Sequence, residues 1–283
     1  MRCLILKILG LVASPRKLGN SEILVKEMLA SFSDDVEKEM IRLPELNIEP
    51  CKACYACLPQ ENECIIKDDL AFLLKKIEEA DGIVIGSPCY FLGVHSSLKL
   101  VGDRFISILN SGNKYSGKKC VLAIVYGIKG WEGYAREGAI SFAKFLHLDV
   151  VGTMLVQAAN PGQVIKDDTL AEARELAQAL ITPKKVLSES NIHTCPHCDS
   201  SLLQLGLGGE VRCIICGTTG KIRNEQEKPV IDFDKKVPGR FTKECMNKHG
   251  KLLEQIKEEF IKSRTQLYEL RKPYKDYDWW IKP

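Results

Sequence analysis

The stretch Lys7-Ile8-Leu9-Gly10-Leu11-Val12-Ala13-Ser14-Pro15-Arg16-Lys17-Leu18-Gly19-Asn20-Ser21 passes from an apolar run into a short polar loop containing a glycine. Behind the loop, Ile23, Leu24, Met28, Leu29 and Phe32 recur at helical spacing. A continuous apolar run of this length reads as a strand buried on both faces, here over about residues 3–13, as in a parallel sheet covered by helices. Strand, loop and helix in that order bring backbone N–H groups and the positive helix end together, which suits an anion. Ser14, Asn20 and Ser21 can add hydrogen bonds, and Arg16 or Lys17 countercharge, around the turn at Gly19. A capped turn without a ligand has the same residue types.

Working outward, further strands are expected near 36–42, 82–87, 119–126 and 149–157, separated by segments of helical period. Leu70, Leu73, Leu74 and Ile77 make a second helical face behind the capping carboxylates Asp68 and Asp69. The alternation predicts an α/β fold: a doubly wound five-stranded parallel sheet of order 2-1-3-4-5. Residues 1–14 also scan as a short signal peptide, but Lys7 interrupts the apolar stretch and cleavage would remove the first strand.

With 283 residues, 45% hydrophobic and 27% charged, the chain has globular composition and room for about two domains. A net charge of +3 from 40 basic and 37 acidic residues gives no field that names nucleic acid as a partner. No apolar run reaches the roughly 18 residues that span a bilayer, so no membrane association is expected. Twelve cysteines, eight of them in two clusters of metal-ligand spacing, point to a reducing, cytoplasmic setting. Cys3, Cys89, Cys120 and Cys245 stand outside the clusters.

The loop Gly86-Ser87-Pro88-Cys89-Tyr90-Phe91 follows the third strand, whose end adjoins that of the first at the switch point of the sheet. A proline-stiffened turn followed by two aromatics suits a planar ring, and Tyr126-Gly127-Ile128-Lys129-Gly130 can close the other side. The first loop fits neither GxxxxGK[ST] nor GxGxxG. Ser14–Ser21 and Gly86–Phe91, with Leu98-Lys99 before Asp103-Arg104, resemble the NADPH-dependent FMN reductase-like branch of the flavodoxin superfold. With the cysteine loop described next, the likeness is greatest to the archaeal and bacterial iron-sulfur flavoproteins, and it covers about the first two-thirds of the chain. The resemblance implies FMN, with its phosphate on residues 14–21 and its ring against 86–91. It also implies an oligomer of flavin domains, a dimer or tetramer, in which the nearest flavin can belong to another subunit. Cys89 stands where such proteins often carry an apolar residue. Near a flavin it can modulate redox chemistry or serve as a small hydrophobe, and Lys99 and Asp103 can be a surface i,i+4 pair.

Cys51-x2-Cys54-x2-Cys57-x6-Cys64 follows the second strand. Two-residue spacers in a turning loop aim three thiolates at one small object, and the spacing favours a 4Fe-4S cluster over zinc or free thiols. The family resemblance points the same way. Cys195-x2-Cys198-x14-Cys213-x2-Cys216 is the pattern of one tetrahedral Zn2+ site, with rubredoxin-like iron as the alternative and His193 and His197 as competing ligands. Its intervening segment lacks a basic or aromatic stripe, so a structural or docking role is expected rather than nucleic-acid binding. His95, His147 and His249 stand alone.

The expected organisation is a flavodoxin-like domain over 1–187, a linker at 188–191 opening a zinc ribbon over 188–224, and a linker and helical tail over 225–283. In the tail, Leu252, Leu253, Ile256, Phe260 and Leu267 are read as one face, followed by Tyr274, Tyr277, Trp279 and Trp280. Neither a Ser/His/Asp set nor a carboxylate pair stands out, so no side chain is assigned as catalytic. The expected function is electron transfer between FMN, the cluster and a redox partner or NAD(P)H. The alternatives are an NAD(P)H-dependent FMN or quinone reductase without a cluster, and a redox-sensing docking protein.

Overall fold

Ile8, Leu9, Leu11 and Val12 are all at most 1% exposed, so the first strand, β1 (Lys7–Val12), is covered on both faces. The computed structural model describes residues 5–58, 63–109, 114–182, 193–225, 228–234, 239–276, 279 and 281. Cys3, the linker at 188–191, the boundary at 187, Tyr277 and Trp280 lie outside the described residues.

β1 pairs in parallel with β2 (Glu37–Arg42) on one side and β3 (Gly82–Tyr90) on the other. β5 (Lys119–Tyr126) and β6 (Asp149–Gln157) continue the sheet, giving the order β2-β1-β3-β5-β6. This is the expected five-strand parallel order. β3 runs past the expected end at residue 87 and turns back into a two-residue strand, β4 (Gly93–Val94). Pro88 reads as a strand breaker, but it stands opposite Val125 near the end of the β3–β5 ladder, where a missing N–H costs little.

Alternate residues of the strands feed two cores. Leu9, Leu11, Ile83 and Ile85 pack with α2 (Leu70–Glu79), α3 (Ser96–Asp103) and α4 (Ala135–Phe145). Ile8, Val12 and Val84 pack with α1 (Asn20–Ala30) and α5 (Asp167–Gln178). Gly86 lets α1 approach β3: a Cβ there would lie 2.8 Å from the Ser21 carbonyl oxygen.

A second, antiparallel sheet has the order β10-β9-β8-β7, from β7 (Leu203–Leu205), β8 (Glu210–Cys213), β9 (Thr219–Glu225) and β10 (Lys228–Phe233). It extends past residue 224, because β9 and β10 form a hairpin with little burial that reads as a polar linker in sequence. Arg136 of α4 donates to the Asp199 carbonyl (2.9 Å) and carboxylate (3.0 Å), while Glu137 accepts from the Ser201 N–H (3.2 Å) and hydroxyl (2.7 Å). The ribbon is thereby docked on the first domain.

The chain continues into α6 (Lys243–Arg271), whose N-cap Thr242 accepts from Cys245 N–H. The predicted single face divides. Leu253 joins Met246, Leu58 and Leu109 in a small core, whereas Leu252, Ile256 and Phe260 are 42–50% exposed. Adjacent residues 252 and 253 are about 100° apart on a helix and cannot share a narrow seam. No helix among the described residues is long and apolar enough to cross a membrane.

Candidate functional site

Loops at the carboxyl ends of β1, β3, β5 and β6 enclose a cavity of about 170 Å³, its walls including Ser14, Gly19, Ser21, Pro88, Tyr90 and Gly127. Arg16, Asn20 and Cys89 also line it, whereas Lys17, Phe91 and Tyr126 do not. The volume is below the roughly 300–1,000 Å³ of a drug-sized ligand site. No side chain caps α1, leaving its first-turn amides available to an anion. A Cβ on Gly19 would lie 3.0 Å from the Arg16 Cβ and 3.1 Å from its carbonyl oxygen, so a larger residue crowds the turn.

Asn20 lines the cavity, and its side chain is also engaged by the loop after β6. Its amide donates to the carbonyls of Ala158 (3.2 Å) and Asn160 (2.9 Å), and its oxygen accepts from Gly162 N–H (2.8 Å). It therefore ties the first loop to the loop after β6, whose Ala158, Ala159 and Pro161 complete the wall together with Val125. Sequence reading missed these four because small apolar residues carry no chemical signature.

Arg42, at the end of β2, braces the same loop from behind. It donates to the carbonyls of Ser14 (3.0 Å) and Arg16 (3.1 Å) and to Glu22 (2.7 Å). Glu22, 5% exposed, also accepts from Leu18 N–H and pairs with Lys26. Burial pushes its carboxyl up, but the bonds from Arg42, Lys26 and the Leu18 N–H outweigh this and bring it down to about 2.

The mouth is framed by the β3–β4 turn and residues 127–134. Phe91 and Leu92, the two residues of that turn, have φ of 51° and 66°, and Phe91 is fully exposed. Tyr134 N–H donates to the Leu92 carbonyl at 2.7 Å, and the Cys89 thiol to the carbonyls of Trp131 (3.4 Å) and Glu132 (3.3 Å). Gly133, φ 54°, is required here, since a Cβ would lie 2.2 Å from the Leu92 oxygen. Phe91, Leu92, Ile128, Trp131 and Tyr134, on this turn and the adjoining segment, are exposed apolar residues.

Between β2 and α2, the 51–64 loop turns through Ala53 (φ 48°) and Tyr55 (φ 54°), on either side of Cys54. Burial raises the Cys57 thiol, and the nearby Cys64, Cys51 and Cys54 raise it further, although these four thiols are not drawn into a close ligand group as those of the ribbon are. Arg104, 1% exposed, donates to the Glu49 carbonyl (2.7 Å), to Asp68 (2.6 Å) and to the Cys64 sulfur (3.1 Å). Its Nε is buried without a partner among the described residues. A cationic donor at a thiol, with one further N–H unanswered, fits an anionic metal–sulfur group on this loop. Asp68 is thus the counter-ion of Arg104 as well as an acceptor for Leu70 N–H. Lys99 and Asp103 are the surface pair considered from sequence.

The ribbon thiols, Cys195, Cys198, Cys213 and Cys216, are buried with their sulfurs all within 4.8 Å of one another, the one such group among the described residues. The two knuckles repeat one geometry. Asp199 N–H reaches the Cys195 carbonyl (2.8 Å) as Gly217 N–H reaches that of Cys213 (2.9 Å), and both turn residues have positive φ. Four buried thiols this close could be held together as thiolates by one bound cation. His193 and His197 are exposed and outside this group.

Comparison with known proteins adds four findings. A profile described as NADPH-dependent FMN reductase matches residues 6–160. An iron-sulfur flavoprotein of Methanocaldococcus jannaschii is 43% identical over 100 residues, 35% of this chain and 51% of that protein, so the likeness spans about half the relative's length. An iron-sulfur flavoprotein of Archaeoglobus fulgidus is 28% identical over 190 residues, 65% of this chain and 92% of its own. Among solved structures, a flavone reductase superposes with a TM-score of 0.77 at 24% identity, covering 98% of this chain and 100% of its own, which is a likeness of fold.

Proposed function

Because the chain belongs to the NADPH-dependent FMN reductase family, we propose that it is an FMN-dependent oxidoreductase that passes electrons between flavin and a redox partner through a 4Fe-4S cluster on Cys51, Cys54, Cys57 and Cys64. The observation carrying this reading is the four-loop cavity at the carboxyl edge of the sheet, with the uncapped start of α1 in its wall and exposed apolar residues on the adjoining turn. Bound there, FMN supplies hydride and single-electron chemistry and the cluster supplies one-electron transfer.

The chain's own part is binding and placement. The α1 amides, Ser14 and Ser21 receive the phosphate, with Arg16 as countercharge. Pro88, Cys89, Tyr90 and Gly127 flank the ring, and the exposed Phe91, Ile128 and Trp131 keep water from it. NAD(P)H is the proposed electron donor. These exposed apolar residues also support a homo-oligomer, since large apolar surfaces are covered in assemblies. For the ribbon we propose Zn2+ as the bound ion, because four close thiolates are its preferred tetrahedral donors. Two cysteine groups with metal-ligand spacing support a reducing, cytoplasmic setting.

Anaerobic reductive titration tests the electron-transfer reading. The wild-type chain should take up one electron more than Cys54→Ala, which keeps its flavin. Equal uptake by the two would leave the plain reductase without a cluster as the better account.

A further inference from the structure

Cys64 differs from the other three thiols of its loop. Cys51, Cys54 and Cys57 are spaced by two residues and held by the turns at Ala53 and Tyr55, whereas Cys64 follows a six-residue spacer. Its fixed neighbour comes from elsewhere in the fold. The backbone of Arg104 is pinned at the end of α3, its N–H bonded to the Val101 carbonyl (3.0 Å) and its own carbonyl accepting from the Ser107 N–H (3.0 Å) and hydroxyl (2.8 Å). The side chain then runs buried to the Cys64 sulfur at 3.1 Å.

A guanidinium is rarely taken out of water without anions to meet it. Asp68, 1% exposed, is one such partner, and Arg104 has donors beyond those that Asp68 and the Glu49 carbonyl engage. The planar fork reaches carboxylate and sulfur together, which a lysine's point charge does less well.

We propose that Arg104 is a positioning residue for the proposed cluster on 51–64: it fixes the Cys64 sulfur and places a permanent positive charge beside the centre, favouring its reduced state, with Asp68 setting the net size of that charge. This rests on reading the loop as a cluster site. Accepting one electron from reduced flavin adds one negative charge to the iron and its thiolates, and a nearby cation stabilises the more negative state.

The test is a redox titration of anaerobically purified protein, with iron and sulfide counted and the reduced-state electron paramagnetic resonance spectrum recorded. Arg104→Gln should lower the midpoint potential, Asp68→Asn should raise it, and Arg104→Lys should lie near wild type with an altered spectrum. A general loosening of packing would not shift the two neutralising variants in opposite directions. Potentials that are unchanged, or that move the same way in both, overturn the inference while leaving the function standing. Should Arg104→Gln lose its iron, retention in Arg104→Lys supports the charge argument, and loss from both overturns it. Wild-type protein without iron overturns the inference and the cluster reading together.

Discussion

Lys257 Nζ, on the terminal helix, donates to the backbone carbonyl of Tyr55 at 3.1 Å, joining positions 202 residues apart. Tyr55 lies between Cys54 and Cys57, and Leu58 just beyond packs with Met246 and Leu253 of the same helix. The tail is therefore a clasp on the cysteine loop. Met246→Ala, which empties a site 4% exposed, should cost about 2–4 kcal/mol in chemical denaturation. It should also speed iron release to a chelator while flavin stays bound, and unchanged release would separate the tail from the loop.

The two cysteine groups are joined in the same way. Arg240 N–H bonds the Cys216 carbonyl at 2.7 Å, its guanidinium reaches the Ile214 carbonyl at 3.1 Å, and Phe241 packs against both the ribbon thiols and the Leu58–Met246 core. The sequence reads as two independent sites, but these contacts predict one-way dependence. Cys213→Ala should lose the ribbon metal and lower the iron content as well, whereas Cys54→Ala should lose iron and keep the ribbon metal. Metal analysis of the two variants decides it, and full iron in Cys213→Ala would restore independence.

Phe91 and Leu92 occupy a two-residue hairpin turn with positive φ at both positions, a conformation that Asn-Gly adopts with little strain. Each non-glycine residue there costs about 1–2 kcal/mol. Phe91→Asn with Leu92→Gly should therefore raise the unfolding free energy by about 1–2 kcal/mol and weaken ligand binding at the mouth. A destabilised double variant would mean that the exposed side chains contribute more to stability than the turn costs.

The Glu22–Arg42 brace gives the fold an acid sensitivity of definite sign. The Glu22 carboxyl falls from an ordinary 4.5 to about 2 in the folded chain, so its contribution is complete above pH 4.5 and is lost as pH falls toward 2. That contribution is on the order of 3 kcal/mol. Urea midpoints measured across this window should fall more steeply for wild type than for Glu22→Gln, and parallel curves would contradict the brace.

The strand order was legible because β1, β3 and β5 are apolar on both faces, and the thiol groups because their spacing is itself geometric. Arg42, Glu22 and Arg104 were not, since a charged residue buried by a partner far along the chain looks like any surface charge in sequence. The bonds of the Asn20 side chain to the loop after β6 were not legible either, because an amide serves equally well for an anion or for a neighbouring backbone. The β9–β10 hairpin was hidden for a related reason: a strand exposed on both faces has no apolar alternation to read.

Cofactor content per chain, determined on anaerobically purified protein, tests the central claim most directly. The wild-type chain should carry one FMN together with iron and acid-labile sulfide in the equal amounts of one 4Fe-4S cluster, both iron and sulfide absent from Cys54→Ala. Flavin without sulfide in the wild-type chain, or sulfide that survives in Cys54→Ala, would contradict it.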